Sequence, residues 1–321
     1  MGEFELIRNF FAAAPCAQGG EGVDLGIGDD CALLAVPPGE QLAISTDTLV
    51  AGVHFADPCD PFLLGQRSLA VAVSDLAAMG ATPIAFTLAL TLPTVTADWL
   101  QAYARGLNRM AQSCGVALVG GDTTRGPLSL TLTVFGRVPA GKALTRSGAQ
   151  PGDLLCVGGE LGNAAGALPL VLGERTADPA IADPLLAHYW SPQPQLALGQ
   201  ALRGKATAAL DISDGLLADC GHIALASKVA IQVERDRLPL SGALVAFLGQ
   251  TGAQNAALSG GDDYVLAFTL PSVELSPLLA EGWPIHVIGR IVAGQGVTLL
   301  DSDGQDITPQ TRGYQHFRES P

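Results

Sequence analysis

Two domains of mixed helix and sheet, α/β or α+β, are what this sequence predicts, and three observations carry that expectation. Short apolar runs alternate with helical stretches along the whole chain, the pattern of folds that layer helices on sheets. The 321 residues are enough for two domains or one large one, and at 48% hydrophobic and only 15% charged they can build a sizeable core. The 39 glycines and 21 prolines supply tight connections between many short elements. The expected division is 1–138 for a first α/β domain and 139–321 for the second.

In chain order, Phe4 to Ala14 has helical spacing, and the glycine-rich stretch Gly19 to Gly28 leads to Asp29 and Asp30. Pro37-Pro-Gly-Glu40 turns the chain into a short buried strand, Leu42-Ala-Ile44, that ends in Ser45, Thr46 and Asp47. Asp60-Pro61 is a helix start, Asp as cap and Pro in the first turn, for a helix that runs to about Met79 and stops at Gly80. A strand from Pro83 to Leu92 follows, then an amphipathic helix from Thr96 to Cys114, stopped by Gly115. Ala117 to Val119 is a short buried strand broken by Gly120-Gly121-Asp122, and Leu128 to Val138 alternates hydroxyl and apolar residues as a half-buried strand does. Beyond Pro139 come a strand (Leu154 to Val157), an Ala/Leu-rich helix, and a proline-rich connection from Pro179 to Pro194. The strand Ala208 to Ile212 turns at Ser213-Asp214-Gly215 into the helix Leu216 to Ser227; a strand Val265 to Leu270 and a closing hairpin around Asp303-Gly304 complete the chain.

Composition excludes several classes. A net charge of -14 leaves no electrostatic surface for nucleic acid. The uncharged run from Leu76 to Ala97 contains Gly80, Pro83 and Pro93 and reads as a helix end plus a buried strand, not a membrane span. The six cysteines are scattered without a CxxC pair and read as reduced core residues of a cytoplasmic protein; the acidic Met-Gly-Glu-Phe-Glu start lacks the layout of a secretory signal. Gly136 to Ala143 has P-loop spacing, but Ala143 stands where a hydroxyl must reach a metal and Pro139 removes a backbone donor, so no P-loop is assigned.

What remains is a set of aspartates at the ends of, or inside, apolar and glycine-rich runs: Asp30, Asp47, Asp75, Asp122, Asp211, Asp214, Asp262 and Asp263. Each alone reads as a turn or cap residue. As a set that converges, they repel one another unless cations intervene, and oxygen donors without His or thiolate select a hard ion such as magnesium. Gly120-Gly121-Asp122 lets backbone approach a phosphate closely. Asp211-Ile-Ser-Asp214 puts two carboxylates and a hydroxyl at a strand-to-helix corner where a metal and a phosphate could share space, and where Ser213 or Asp214 could equally cap the helix. Arg146 is one of few cations near these acids, and His54 could meet a substrate phosphate or stand as an edge residue.

The series Gly-Ile-Gly-Asp-Asp (26 to 30), Ser-Thr-Asp (45 to 47), Gly-Val-His-Phe (52 to 55), Ser-Asp-Leu-Ala-Ala-Met-Gly-Ala (74 to 81), Gly-Gly-Asp-Thr (120 to 123), Asp-Ile-Ser-Asp-Gly (211 to 215) and Ser-Gly-Gly-Asp-Asp-Tyr (259 to 264) resembles the thiamine-monophosphate kinase family, in order and over essentially the whole chain. That family shares its ATP-binding superfamily with aminoimidazole ribonucleotide synthetase. The resemblance implies a PurM-like architecture: an N-terminal α/β domain that dimerises through its strands and a C-terminal α+β domain. It further implies ATP-dependent phosphorylation of thiamine monophosphate to thiamine diphosphate, several Mg2+ ions, and a homodimer. Carried over by motif, Asp30, Ser45, Thr46, Asp47, Asp75, Asp122, Asp211 and Asp214 are magnesium ligands; Gly121, Asp122, Arg146 and Ser213 contact ATP; His54, Asp262 and Tyr314 contact thiamine monophosphate. Asp262 stands where the family usually has Glu, and no residue is assigned to adenine. No nucleophile or general base is assigned, because the acceptor is itself an anionic phosphate oxygen. The alternatives are another ATP-dependent activating enzyme of the superfamily, though the Cys-Gly and Lys of selenophosphate synthetase are absent, and a magnesium-nucleotide or thiamine-phosphate binding protein without turnover.

Overall fold

The computed structural model describes residues 3–310, 313 and 314. The chain divides into two compact units: one runs to Leu76 and takes in Ala81–Ala143 and Trp190–Leu196, and the other holds Ala77–Gly80, Leu144–Tyr189 and the chain from Ala197 onward.

The first unit opens with α1 (Glu3–Leu6), continued by a π-helical stretch, Ile7–Ala12. A two-stranded ladder, β1 (Val23–Leu25) and β2 (Leu33–Leu34), carries Gly26 to Asp30 in its connecting loop. Then come β3 (Glu40–Val50), α2 (Pro61–Ala78), β4 (Thr82–Leu92), α3 (Ala97–Cys114), β5 (Ala117–Arg125) and β6 (Ser129–Pro139). The sheet order is β3-β6-β4-β5, with β4 and β5 parallel through the α3 crossover and the other pairs antiparallel. Helix starts and stops follow the local chemistry: the Asp60 carboxylate accepts the Phe62 N–H at 2.8 Å, and Gly115 closes α3 in the left-handed conformation. The two helices meet through glycines. A Cβ on Gly106 would lie 1.9 Å from the Phe62 carbonyl oxygen, so only glycine allows this approach. One face of the sheet buries Leu88, Leu90, Leu130, Leu132 and Val134.

The opposite face is more open than the sequence suggests. The strand read as short and buried is eleven residues long, with Leu42 at 42% and Ile44 at 58% exposure. Asp47 therefore lies inside β3, paired across to Leu132, not at a strand end. The reason is register: β3 pairs with β6 along its whole length, and the Thr46–Thr133 and Thr48–Thr131 hydroxyl pairs, each at 2.9 Å, carry the ladder through residues of moderate propensity. Likewise β5 does not break at Gly120; a bulge opposite Phe86 and Thr87 absorbs the irregularity and the strand continues to Arg125.

The second unit contains β7 (Leu154–Val157), α4 (Asn163–Val171), α5 (Pro179–Trp190), α6 (Leu196–Leu202), β8 (Ala208–Asp211), α7 (Leu216–Ser227), β9 (Ala230–Glu234), α8 (Gly242–Ser259), β10 (Leu266–Leu270), α9 (Ser272–Ala280), β11 (His286–Val292) and β12 (Gly296–Leu300). Its sheet order is β12-β9-β11-β7-β10-β8, antiparallel except for the β12–β9 pair. The core is the apolar face of α7 (Leu216, Leu217, Cys220, Ile223, Ala224) against Leu155, Val157, Leu210, Ile231 and Ile288. The region read as a proline-rich connection is the helix α5: Pro179 sits at its first position, where no N–H is needed, and burial of Leu185 and Tyr189 outweighs the bond that Pro184 removes. Residues 242–259, given no element from sequence, form α8, interrupted at Gly249 (φ +70°) and capped by the Ser241 hydroxyl, which accepts the Leu244 N–H at 3.0 Å. The Asp303-Gly304 turn closes as expected, with Asp306 bridging back to Leu300.

Candidate active site

In the first unit, pleating sorts the Ser45-Thr46-Asp47 run. Alternate residues of a strand face opposite sides. The Ser45 hydroxyl donates to the Asp75 carboxylate on α2, so Ser45 and, by alternation, Asp47 share the face that carries Asp75. The Thr46 hydroxyl instead pairs with Thr133 on the open face. The structure thus brings Ser45 and Asp75 into contact with Asp47 on their side, and turns the Thr46 side chain away from them.

A second grouping forms around β5. Gly121 holds φ +150°, and a Cβ there would stand 1.9 Å from the Leu88 carbonyl oxygen, so the backbone is pressed close to β4. Asp122 follows at once, its carboxylate accepting the Thr123 N–H at 2.9 Å. Both line a cavity of about 540 Å³ that also takes in Asp29 and Asp30 from the β1–β2 loop and an apolar wall including Phe11 and Leu118. Asp30 and Asp122, distant in sequence, are brought to one space. The Asp30 N–H is held by the Asp29 carboxylate at 2.9 Å.

His54 sits in the turn after β3. Its Nδ1 accepts the Val50 N–H at 2.9 Å, which puts the ring proton on Nε2. Its carbonyl accepts from Arg67 at 3.4 Å, an arginine only 1% exposed in α2.

In the second unit the corner between β8 and α7 gathers several of the expected residues. Asp211 ends β8 and is buried, Asp214 is half-buried and Ser213 is exposed. Two main-chain bonds clamp a tight turn to this corner: the Asp262 N–H donates to the Ser213 carbonyl and the Tyr264 N–H to the Ile212 carbonyl, both at 2.8 Å. Asp262 (φ +70°) and Tyr264 (φ +49°) both adopt the left-handed conformation, which Asp tolerates better than most residues. The Tyr264 hydroxyl donates to the Asp262 carboxylate at 3.1 Å. The Tyr314 N–H donates to the Asp214 carbonyl at 3.0 Å. Ser213, Asp214, Asp262 and Tyr314 therefore share one hydrogen-bonded frame. Arg146 is outside it: its carbonyl accepts from Ser227 at 3.1 Å, at the far end of α7, and twelve helical residues span roughly 18 Å.

Sequence reasoning missed the acid that holds this frame, Asp219. Neither Ser213 nor Asp214 caps α7. Instead Asp219, from inside the helix, accepts the N–H groups of Ser213, Asp214 and Gly215 on one carboxylate oxygen at 3.1, 3.0 and 3.1 Å. Burial pushes its carboxyl up to about 6, with those N–H bonds opposing and the Asp214 charge adding to the rise. Asp263, assigned no role beyond membership of the acid set, accepts the Gly162 N–H on both oxygens at 2.9 Å; burial pushes it up to about 8. The signal available was an acid in the first turn of an otherwise apolar helix (Leu216-Leu-Ala-Asp-Cys), where only a local backbone partner makes burial tolerable.

Among the described residues, no three His, Cys, Asp or Glu side chains stand together as a ready-made metal cage. The carboxylate and hydroxyl oxygens of these sites still fit magnesium, which keeps most of its waters and is held by one or two carboxylates plus substrate phosphates. No helix among the described residues is long and apolar enough to cross a membrane.

Family models agree with this architecture. The AIR synthase related protein N-terminal domain matches residues 28–138 and the corresponding C-terminal domain matches residues 150–302. The thiamine-monophosphate kinase of Escherichia coli (strain K12) is 45% identical over 321 residues, covering 98% of each chain. The crystal structure of the thiamine-monophosphate kinase from Stenotrophomonas maltophilia K279a superposes with a TM-score of 0.83 at 47% identity, covering 89% of this chain and 92% of that one. AaThiL complexed with AMPPCP and TMP superposes with a TM-score of 0.80 at 30% identity over 88% of this chain and 89% of that one. With two matching domain models and relatives this similar across nearly its full length, the chain belongs to the thiamine-monophosphate kinase family.

Proposed function

We propose that this protein transfers the γ-phosphoryl group of ATP to the phosphate of thiamine monophosphate, giving thiamine diphosphate. The observation that carries the reading is the pairing of a close-approach glycine with an adjacent carboxylate, Gly121-Asp122, at a cavity of about 540 Å³ in a chain 45% identical to a named kinase of this kind. The relative AaThiL binds AMPPCP, an ATP analogue, together with TMP, which matches a direct transfer between two bound phosphates.

The roles assigned to the chain follow from its chemistry. Gly121 lets main chain lie against a phosphate where any side chain would collide with β4. Ser213 offers its hydroxyl, and Arg146 a cation, to the nucleotide. His54, its ring proton on Nε2, donates to the phosphate of thiamine monophosphate. Asp262 and Tyr314 meet the thiamine moiety, the carboxylate facing its positive charge. Magnesium ions would be held by Asp30, Ser45, Asp47, Asp75, Asp122, Asp211 and Asp214; Thr46, whose hydroxyl pairs with Thr133 on the opposite face, could contribute only its main-chain carbonyl. Bound there, they would neutralise the two polyanions and the charge of the transferring group. The acceptor oxygen is anionic at neutral pH, so the chain needs to supply no general base. We further read the division 1–138 and 139–321 as the domain boundary, the cytoplasm as the place of action, and a homodimer formed through the open face around Leu42 and Ile44 as the assembly.

The test is thiamine diphosphate formation by the purified protein with ATP and magnesium, offered thiamine monophosphate or free thiamine. Product from the monophosphate alone supports the reading. A folded protein that makes product from neither acceptor sinks it.

A further inference from the structure

We propose that Asp219 is a positioning residue for phosphoryl transfer, a proposal that rests on the functional reading above. Three successive N–H groups at the start of a helix are ordinarily open to a phosphate. Here those of Ser213, Asp214 and Gly215 all converge on Asp219 Oδ2, within 3.1 Å, so the chain's own carboxylate fills the place. Asp219 is 4% exposed and lies between buried Leu217 and Cys220.

The consequence lies in the carbonyls. With the N–H groups of residues 213–215 fixed inward, the carbonyls of Ile212, Ser213 and Asp214 are committed to Tyr264, Asp262 and Tyr314 in turn. Turning any of these peptides over breaks a bond to Asp219 and one to Tyr264, Asp262 or Tyr314 together. Gly215 fits where no other residue would: it holds φ +123°, and a Cβ there would stand 2.9 Å from the Ser259 backbone. One carboxylate oxygen thereby sets the relative positions of Ser213 and Asp214, assigned to nucleotide and metal, and of Asp262 and Tyr314, assigned to thiamine. Phosphate contact at this corner falls to the Ser213 hydroxyl, since the N–H groups are taken.

The experiment compares Asp219→Asn, Asp219→Ala and Asp219→Glu with the unaltered enzyme, measuring the Michaelis constants for ATP and for thiamine monophosphate at one pH, alongside circular dichroism and melting temperature. Asn keeps an acceptor oxygen at the same reach and is expected to hold both constants within about twofold. Ala orphans three N–H groups, and Glu displaces the oxygen by a methylene; each is expected to raise both constants roughly tenfold or more, the scale of one buried hydrogen bond lost. A purely structural role would lower the melting temperature and leave the constants of the folded enzyme in place. Unchanged constants in folded Asp219→Ala, or in Asp219→Glu where Ala does not fold, overturn the proposal. So does an Asn variant as impaired as the others. Absence of thiamine diphosphate from the unaltered protein overturns the functional reading and this proposal with it.

Discussion

Ser213 and Asp262 are joined main chain to main chain, the Asp262 N–H donating to the Ser213 carbonyl at 2.8 Å. The residue before Asp262 makes this contact possible: a Cβ on Gly261 would lie 2.4 Å from the same carbonyl oxygen. Two motifs that the sequence presents separately are thus one piece of structure. Gly261→Ala is expected to push them apart, raising the Michaelis constant for thiamine monophosphate by about tenfold, the effect of losing one buried hydrogen bond. Asp262→Ala should raise that constant and leave the constant for ATP in place. Steady-state kinetics with each substrate varied in turn checks both. Equal effects on the two substrates would remove Asp262 from the thiamine side.

Gly121→Ala forces a side chain against the Leu88 carbonyl at a φ of +150°. Backbone strain of this kind is worth roughly 1–3 kcal/mol before any clash is counted. The variant should melt at a lower temperature and lose most of its ATP turnover. Thermal unfolding followed with and without an ATP analogue tests this, the expected result being a lower melting point and a smaller ligand-induced rise.

The Ser45 hydroxyl and Asp75 carboxylate act as a pair. Asp75→Asn is expected to raise the magnesium concentration needed for half-maximal activity and to reduce turnover, and Ser45→Ala to do the same more weakly. In the double variant the losses should be less than additive, by roughly 0.5–3 kcal/mol, as for residues in contact. Strictly additive losses would show that the two work independently.

Asp263 gives a pH signature. Its folded carboxyl is pushed up to about 8 from 3.8. The folded state therefore holds this proton more tightly than the unfolded chain does. The stability that the proton lends is complete below about pH 4 and fades as pH rises through about 8. Asp263→Asn has no such proton to lose. Its melting temperature relative to the unaltered protein should climb by a few degrees between about pH 5 and about pH 9. A constant difference across that range would mean that the buried carboxyl is ionised throughout.

Ile44 stands 58% exposed on a strand face that also leaves Leu42 uncovered. If that face joins two copies, Ile44→Asp should halve the particle mass in light scattering while circular dichroism stays the same. A particle mass unaffected by this change would place any association elsewhere.

Much of the architecture was written in local signals. Asp60-Pro61 and Gly80 bound α2, Gly115 stops α3, and the Ser213-Asp214-Gly215 corner leads into α7 at Leu216, because caps, prolines and left-handed glycines act within a few residues of themselves. The acid set and the family resemblance were equally legible, since both are properties of residue order. Tertiary structure decided the rest. The length of β3 and the openness of its face depend on pairing with β6, and whether a proline-bearing stretch such as Pro179–Trp190 becomes a helix depends on what its apolar side buries. Pleating separated Thr46 from Ser45 and Asp47, and long-range hydrogen bonds joined Asp262 and Tyr314 to Ser213 and Asp214. Asp219 escaped the sequence reading, and Asp263 entered it only as a member of the acid set, for the same reason: a buried carboxylate is placed by the backbone that bonds to it, and that backbone takes its position only when the chain has folded.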